Sequence, residues 1–214
     1  MSRRLAPLFS TLWRGAIVLL TAEIAIVSLL RYIAQSEAAP EPILANAHAD
    51  PFLLVHVLAG VLALLVGPLQ FVSGIRARAP GVHRATGYVY AAACTLAAPA
   101  GFMLALGTTA GPVAGAGFAI PALLLPVFTW LGVRAAVERR LGEHREWMLR
   151  SYAIVATAIT LRIMLPASAW LGFDFLPAYQ VIAWLSWSTN LALAEHHIRR
   201  TRARPAAYGT FAAA

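Results

Sequence analysis

The sequence lacks lysine altogether, contains a single cysteine, and has few charged residues of any kind, 12% of 214. The lone Cys94 excludes an intrachain disulfide and a cysteine-based zinc site. The scarcity of charge, together with 60% hydrophobic residues and a mean hydropathy of +0.70, excludes an ordinary soluble globular domain. We therefore expect an integral membrane protein that is all-α.

The basic residues are all arginines, and they give the chain a net charge of +8 and a pI near 10.8. In a membrane protein, arginines concentrate in cytoplasmic loops and meet anionic headgroups there. We therefore expect membrane lipids as partners and no nucleic acid. The sequence also lacks a hydrolase triad, a metalloprotease motif and a phosphate-binding loop, because the glycine-rich stretch that starts at Gly111 has no Lys-Ser/Thr ending.

Six apolar segments are long enough to cross a hydrocarbon core of ~30 Å, which needs about 20 residues. These segments are residues 13–34, 51–74, 85–107, 112–136, 147–171 and 175–197. Arginines lie before the first segment, in the loops 75–84 and 134–147, and in the tail. The other loops carry acids or no charge, so the positive-inside rule predicts six transmembrane helices with both termini in the cytoplasm of a bacterial inner membrane.

We expect residues 1–198 to form one transmembrane domain and residues 199–214 to form a basic, disordered cytoplasmic tail. The first segment could instead be a cleaved signal peptide, since Arg3 and Arg4 precede an apolar run. Glu23 in the middle of that run favours a retained helix. An ionisable group at this depth marks a site or a structural pair, and Arg162 is its possible partner.

A weak internal repeat connects the third and fifth segments, which both begin with a His-Arg pair. His83 and Arg84 open the first, and His144 and Arg145 open the second. Each pair follows an arginine-rich turn and a long apolar segment, which indicates two related hairpins. We expect these hairpins to form a central four-helix bundle with the first and last helices beside it.

Several motifs together resemble one family of bacterial membrane proteins. They are H56-x-x-x-G, G67-P-L-Q-F, H83-R-x-x-G-Y-x-Y, and H144-R-x-W-M-x-R-S-Y followed by L161-R-I. The combination, over roughly residues 50–170, resembles domain-of-unknown-function family 2306. This resemblance implies a polytopic inner-membrane protein and no established activity. The arrangement is also distantly similar to four-helix b-type membrane cytochromes, which hold haem between histidines on neighbouring helices.

At the cytoplasmic end, His83 and His144 are the candidate ligands of a haem iron, because neutral imidazole donates a lone pair to iron. Arg84 and Arg145 would be available for the propionates, and Tyr152 lies on the same face of the fifth segment as His144. The alternative is that these His-Arg pairs anchor headgroups and cap their helices.

At the outer end, His56 and Arg162 lie at similar depth, and we expect Arg162 to face the interior beside His56. Arg162 would then keep the imidazole neutral, which suits a quinone or proton site. A histidine that simply packs against a neighbouring helix is the alternative.

Two functions follow from these residues. The first is a redox protein that binds haem b or quinone in its bundle and exchanges electrons with a redox partner. The second is a transporter or lipid-interacting protein without a cofactor. The substrate, the electron donor, any enzymatic activity and the oligomeric state stay open.

Overall fold

The structure is a computed structural model that describes residues 21–23, 26–27 and 45–203. Most of the predicted segment 13–34 and of the predicted tail therefore lies outside the described residues. The described part is helical, and its elements are α1 (Ala49–Val66), α2 (Ser73–Arg78), α3 (Pro80–Leu106), α4 (Pro112–Val137), α5 (Leu141–Val155), α6 (Thr157–Trp170) and α7 (Phe175–Arg202). A 3-10 turn, Gly67–Phe71, continues α1.

Prolines and glycines set the ends of the long helices. Pro80 and Pro112 occupy the first position of α3 and α4, where the missing N–H costs nothing. The residue before Pro112, Gly111, has a φ of 88°, a conformation that glycine adopts without strain. Prolines inside α3, α4 and α6 agree with a membrane setting, where neighbouring groups compensate the lost backbone bonds.

Four stretches of the described chain are long and apolar enough to cross a membrane: Ala49–Phe71, Pro80–Leu106, Pro112–Val137 and Leu141–Trp170. They correspond to four of the six predicted segments. The last predicted segment, 175–197, is helical and lies within α7. However, α7 is too polar to be counted as a fifth stretch that could cross a membrane. Its helix also continues to Arg202, into the first residues of the predicted tail.

The predicted fifth segment is not one continuous helix, because the regular helix is interrupted at Ala156, between α5 and α6. Asn190 of α7 explains the break. Its Nδ2 donates to the carbonyl oxygen of Ala153 (3.3 Å), which a regular helix would direct to the N–H of Thr157, and its Oδ1 accepts from Thr160 (2.9 Å). A side chain that enters the backbone ladder in this way is a known cause of a kink.

The helices pack through small residues. α1 packs along α3, α3 along α4, and α4 along α5, while α7 contacts α4, α5 and α6. Ala63 of α1, Cys94 of α3, Leu125 of α4 and Ile154 of α5 belong to one buried cluster. Alanines and glycines let helix backbones approach closely in a membrane, where packing rather than water drives association.

Candidate functional site

A cavity of about 330 Å³ lies among α1, α3, α4, α5, α6 and α7, toward the end predicted to be periplasmic. Its lining is mostly apolar. The polar side chains on its wall are Asn46, His56, Thr108, Thr157, Arg162 and Tyr179. A mostly apolar cavity with a few converging polar groups is the usual form of a small-molecule site, and its volume falls at the lower end of the roughly 300–1,000 Å³ of such sites.

His56 is held rigidly at the wall of this cavity by α3. Its Nδ1 lies 2.9 Å from the carbonyl oxygen of Ala97. The carbonyl can only accept, so Nδ1 carries the hydrogen and Nε2 of the neutral ring keeps its lone pair. His56 is exposed and lines the cavity.

Gly101 explains why the ring fits so closely against α3. A Cβ at this position would lie 2.8 Å from both Cε1 and Nδ1 of His56, closer than real Cβ contacts. The edge of the ring that carries Nδ1 and Cε1 therefore packs on a glycine. The hydrogen bond to Ala97 O uses Nδ1 and not Nε2, and His56 lines the cavity.

Arg162 lines the same cavity as His56, and the two side chains are close enough to interact electrostatically. The Nη1 of Arg162 donates to the carbonyl oxygen of Ala158 one turn earlier (3.0 Å). The site thus combines an imidazole acceptor with a guanidinium, which has only donors. These are the two residues that the sequence placed together at the outer end; their role stays a prediction.

A short turn closes the outer end of α3 beside the cavity. Asn46 Nδ2 donates to Leu104 O (2.7 Å), and His48 Nδ1 donates to Met103 O (3.0 Å). The Asn46 bond satisfies a carbonyl near the end of α3, whereas Met103 O also accepts from Gly107 N (3.0 Å). Gly107 is required here, since a Cβ would lie 2.8 Å from His48 N. Sequence reasoning missed this turn, because neither Asn46 nor His48 has a regular spacing from other polar residues.

At the opposite end, His83 and His144 lie close enough to interact electrostatically. Nδ1 of His144 donates to Gly132 O of α4 (2.9 Å), whereas Nδ1 of His83 is buried without a hydrogen-bond partner in the described chain. Arg84 and Arg145 are exposed. The residues predicted as a haem site therefore share one end of the bundle, but His83 and His144 do not line the cavity described above.

No group of three or more His, Cys, Asp or Glu side chains suited to a metal ion occurs among residues 21–23, 26–27 and 45–203. The predicted ligands of a haem iron are only two histidines, fewer than such a group contains. Binding of haem by His83 and His144 thus stays a prediction.

The family model described as "Predicted membrane protein (DUF2306)" matches residues 53–198, more than half of the chain. The chain belongs to the DUF2306 family. No curated protein and no solved structure matches it. The match continues beyond residue 170, where the sequence resemblance ended, and thus includes nearly all of α7.

The motifs that carried the resemblance to DUF2306 pack against one another. A Cβ on Gly67 would lie 2.5 Å from Cδ2 of Tyr152 and 3.2 Å from Cε2 of Tyr90. Tyr152 also packs on Phe71, with ring centroids 5.6 Å apart. The Gly-Pro-Leu-Gln-Phe motif therefore packs against one tyrosine from each His-Arg motif, Tyr90 and Tyr152. Tyr152, predicted as part of the haem site, has a packing role here.

A chain of buried hydroxyls connects the two His-Arg motifs further. Thr129 donates to Leu125 O (2.7 Å), so its contact with Ser151 (2.7 Å) uses the hydrogen of Ser151. Tyr90 must then donate to Ser151 (2.9 Å), since each hydroxyl has one hydrogen. The chain runs across α3, α5 and α4. The motif spacing does not indicate that Ser151 and Tyr90 are in contact, and only the structure shows it.

An ion-pair network attaches α7 to the second His-Arg motif. The guanidinium of Arg150 pairs with Glu195 and stacks over the ring of Trp147, 4.6 Å from its centroid. Glu146 pairs with Arg202. Both acids and both arginines thus have partners. These ion pairs attach α7, most of which lies in the matched region, to α5.

Proposed function

We propose that this protein binds a quinone-class ligand, a single ring that carries two oxygens, in the cavity lined by His56 and Arg162. The observation that carries the proposal is the fixed ring of His56 at the wall of a mostly apolar cavity. The apolar lining suits the ring of the ligand, and the small volume suits one ring better than a macrocycle.

The two polar side chains suit the two redox forms of such a ring. Nε2 of the neutral imidazole accepts a hydrogen bond, so it matches the hydroxyl of a quinol. The guanidinium of Arg162 donates hydrogen bonds, and a carbonyl or hydroxyl oxygen accepts them. Gly101 and Ala97 O fix the imidazole before the ligand arrives, which reduces the entropy lost on binding.

A titration of the purified protein in detergent with a short-chain quinol tests the proposal. Wild type should bind saturably, and Gly101→Ala should bind about tenfold more weakly, because the added methyl displaces the ring and one hydrogen bond of about 1–1.5 kcal/mol is lost. His56→Phe should weaken binding at least as much. Gly74→Ala, where nothing lies within 4 Å of the added methyl, is the matched control and should bind like wild type.

If Gly101→Ala and His56→Phe bind the quinol as tightly as Gly74→Ala, the proposal is wrong. A phospholipid that competes fully with the quinol in the same assay would favour the alternative from the sequence, a transporter or lipid-interacting protein without a cofactor. Haem b at His83 and His144 has a separate test. The dithionite-reduced protein, expressed with a haem precursor, would show Soret and α bands that His83→Gln removes.

We also propose the finer topology that the arginines predict. The protein would cross a bacterial inner membrane six times, with both termini in the cytoplasm. The central bundle would consist of the α1–α3 and α4–α5/α6 hairpins, with α7 and the segment 13–34 beside it. The support is the position of the arginines along the sequence, together with the shared packing of α1, α3, α4 and α5.

A further inference from the structure

Three basic side chains come together where α3 and α5 begin, and we call Arg76, His83 and His144 the inner basic cluster. His83 interacts electrostatically with both of the other two. Both of these neighbours are basic. An arginine beside two imidazoles disfavours a further positive charge and favours a bound anion.

Hydrogen bonds from several elements hold the cluster in place. Arg76 Nη1 donates to Gln70 O (3.0 Å), and the buried side chain of Gln70 donates to Thr86 (2.7 Å), one turn after His83. His144 is fixed through Nδ1 to Gly132 O. Arg76 and His144 thus keep their positions independently of a ligand, and Arg76 retains further N–H groups for one.

His83 provides the second observation, because its Nδ1 is buried and has no hydrogen-bond partner in the described chain. A buried polar atom in this condition is costly unless a ligand or water satisfies it.

The backbone adds to the positive field. His83 is the fourth residue of α3 and His144 the fourth of α5, so both lie at the positive ends of helix dipoles. The first turn of α3 contains no acid, and Glu143 in the first turn of α5 pairs with Arg140. Helix N-termini of this kind are ready binding sites for anions, phosphate among them.

We propose that the inner basic cluster binds a phosphate group, supplied by the headgroup of an anionic phospholipid or by free phosphate. A phosphate offers several acceptor oxygens, which suit the guanidinium of Arg76 and an N–H of His83, whereas the Nδ1–H of His144 is already used by Gly132 O. The cluster lies where α3 and α5 enter their apolar stretches, at the depth of lipid headgroups on the face predicted to be cytoplasmic.

Native mass spectrometry of the purified protein tests this site with three probes: a phosphatidic acid, a phosphatidylcholine and inorganic phosphate. We expect phosphatidic acid to bind more tightly than phosphatidylcholine, and His83→Gln and Arg76→Gln to weaken it about tenfold, as for the loss of one charge-assisted hydrogen bond of roughly 1.5 kcal/mol. Arg78→Gln removes another exposed arginine of α2 and should bind like wild type.

The outcomes separate the sources of the phosphate. Tight binding of phosphatidic acid that inorganic phosphate hardly displaces indicates a lipid headgroup, and direct binding of inorganic phosphate that Arg76→Gln abolishes indicates a free anion. If His83→Gln fails to fold, the exposed Arg76 still provides the test. Equal binding by Arg76→Gln and Arg78→Gln, or a haem spectrum that depends on His83, would overturn the assignment.

Discussion

Single glycines determine where the aromatic and imidazole rings of this protein sit. Gly67 faces Tyr152, and Gly101 faces His56; in both places a Cβ would overlap ring atoms. A glycine in a transmembrane helix usually serves close packing of two backbones. Here each glycine receives a side chain of a family motif, so the motif spacing reflects which ring must fit which gap.

Gly67→Ala should destabilise the protein by about 1–3 kcal/mol, the usual cost of overpacking a core. The added methyl would lie 2.5 Å from Cδ2 of Tyr152, and the ring would have to move. The measurement is thermal unfolding in detergent, with Gly74→Ala as control. Tyr152→Leu in the same chain should recover part of the loss; if the two substitutions are simply additive, the contact between Gly67 and Tyr152 is not the cause.

A carboxylate in the turn between α4 and α5 predicts a small loss of stability in acid. Arg134 and Arg140 donate hydrogen bonds to Glu138 and hold the pKa of this carboxyl below its ordinary value. A lowered pKa means that the stabilisation is complete above the unfolded-state value, near 4.5, and disappears as the pH falls through the lower folded-state value. Glu138→Gln should flatten the dependence of melting temperature on pH below 5; an unchanged slope would contradict this assignment.

Among the secondary-structure elements, the break between α5 and α6 depends on Asn190 of α7. This break matters for the site, because Thr157, Leu161 and Arg162 on α6 line the cavity. The direction in which α6 leaves Ala156 therefore determines where Arg162 lies relative to His56.

Asn190→Ala removes both part-buried hydrogen bonds to the break and should cost about 1–3 kcal/mol, at about 0.5–1.5 kcal/mol for each bond. Amide hydrogen exchange in residues 157–160 should become faster, while the exposed neighbour Thr189, changed to Ala, should leave it unchanged. Equal exchange in the two variants would mean that something other than Asn190 maintains the break.

The helices also differ in how far the sequence could predict them. Length and hydropathy located all the long helices that the structure describes, because a membrane demands about 20 apolar residues in a row. They could not locate the break at Ala156, since its cause is an asparagine 34 residues later. They placed His56 and Arg162 at one depth, yet the ring's fixation by Gly101 and Ala97 O needed three dimensions. The hydroxyl chain from Tyr90 to Leu125 O likewise cannot be predicted from the sequence pattern.

For the whole molecule, the distribution of arginines predicts one membrane topology. Reporter fusions after Arg78, Arg140 and Arg204 should indicate the cytoplasm, and fusions near Glu41, Thr109 and Asp174 the periplasm. The fusion near Asp174 is the most informative, because α7 is too polar to be counted among the four apolar stretches. A cytoplasmic signal near Thr109 would contradict the six-helix topology.

α7 could still cross the membrane, because it directs its polar groups at partner helices. Gln180 donates to Ala110 O, Asn190 to Ala153 O, and Glu195 pairs with Arg150. Polar residues inside a membrane protein face the bundle and pair there. The polarity that separates α7 from the other helices is therefore compatible with its predicted span.

Photo-crosslinking tests most directly whether a quinone-class ring occupies the cavity beside His56. A photoreactive quinone should label wild type on peptides that carry the cavity wall in α1, α3 or α6, and excess unlabelled quinol should suppress the label. His56→Phe should lower the yield about tenfold, in line with the loss of its hydrogen bond, and Gly74→Ala should not. Labelling that persists unchanged in His56→Phe, or that maps to the ends of α3 and α5 around His83 and His144, would contradict the account.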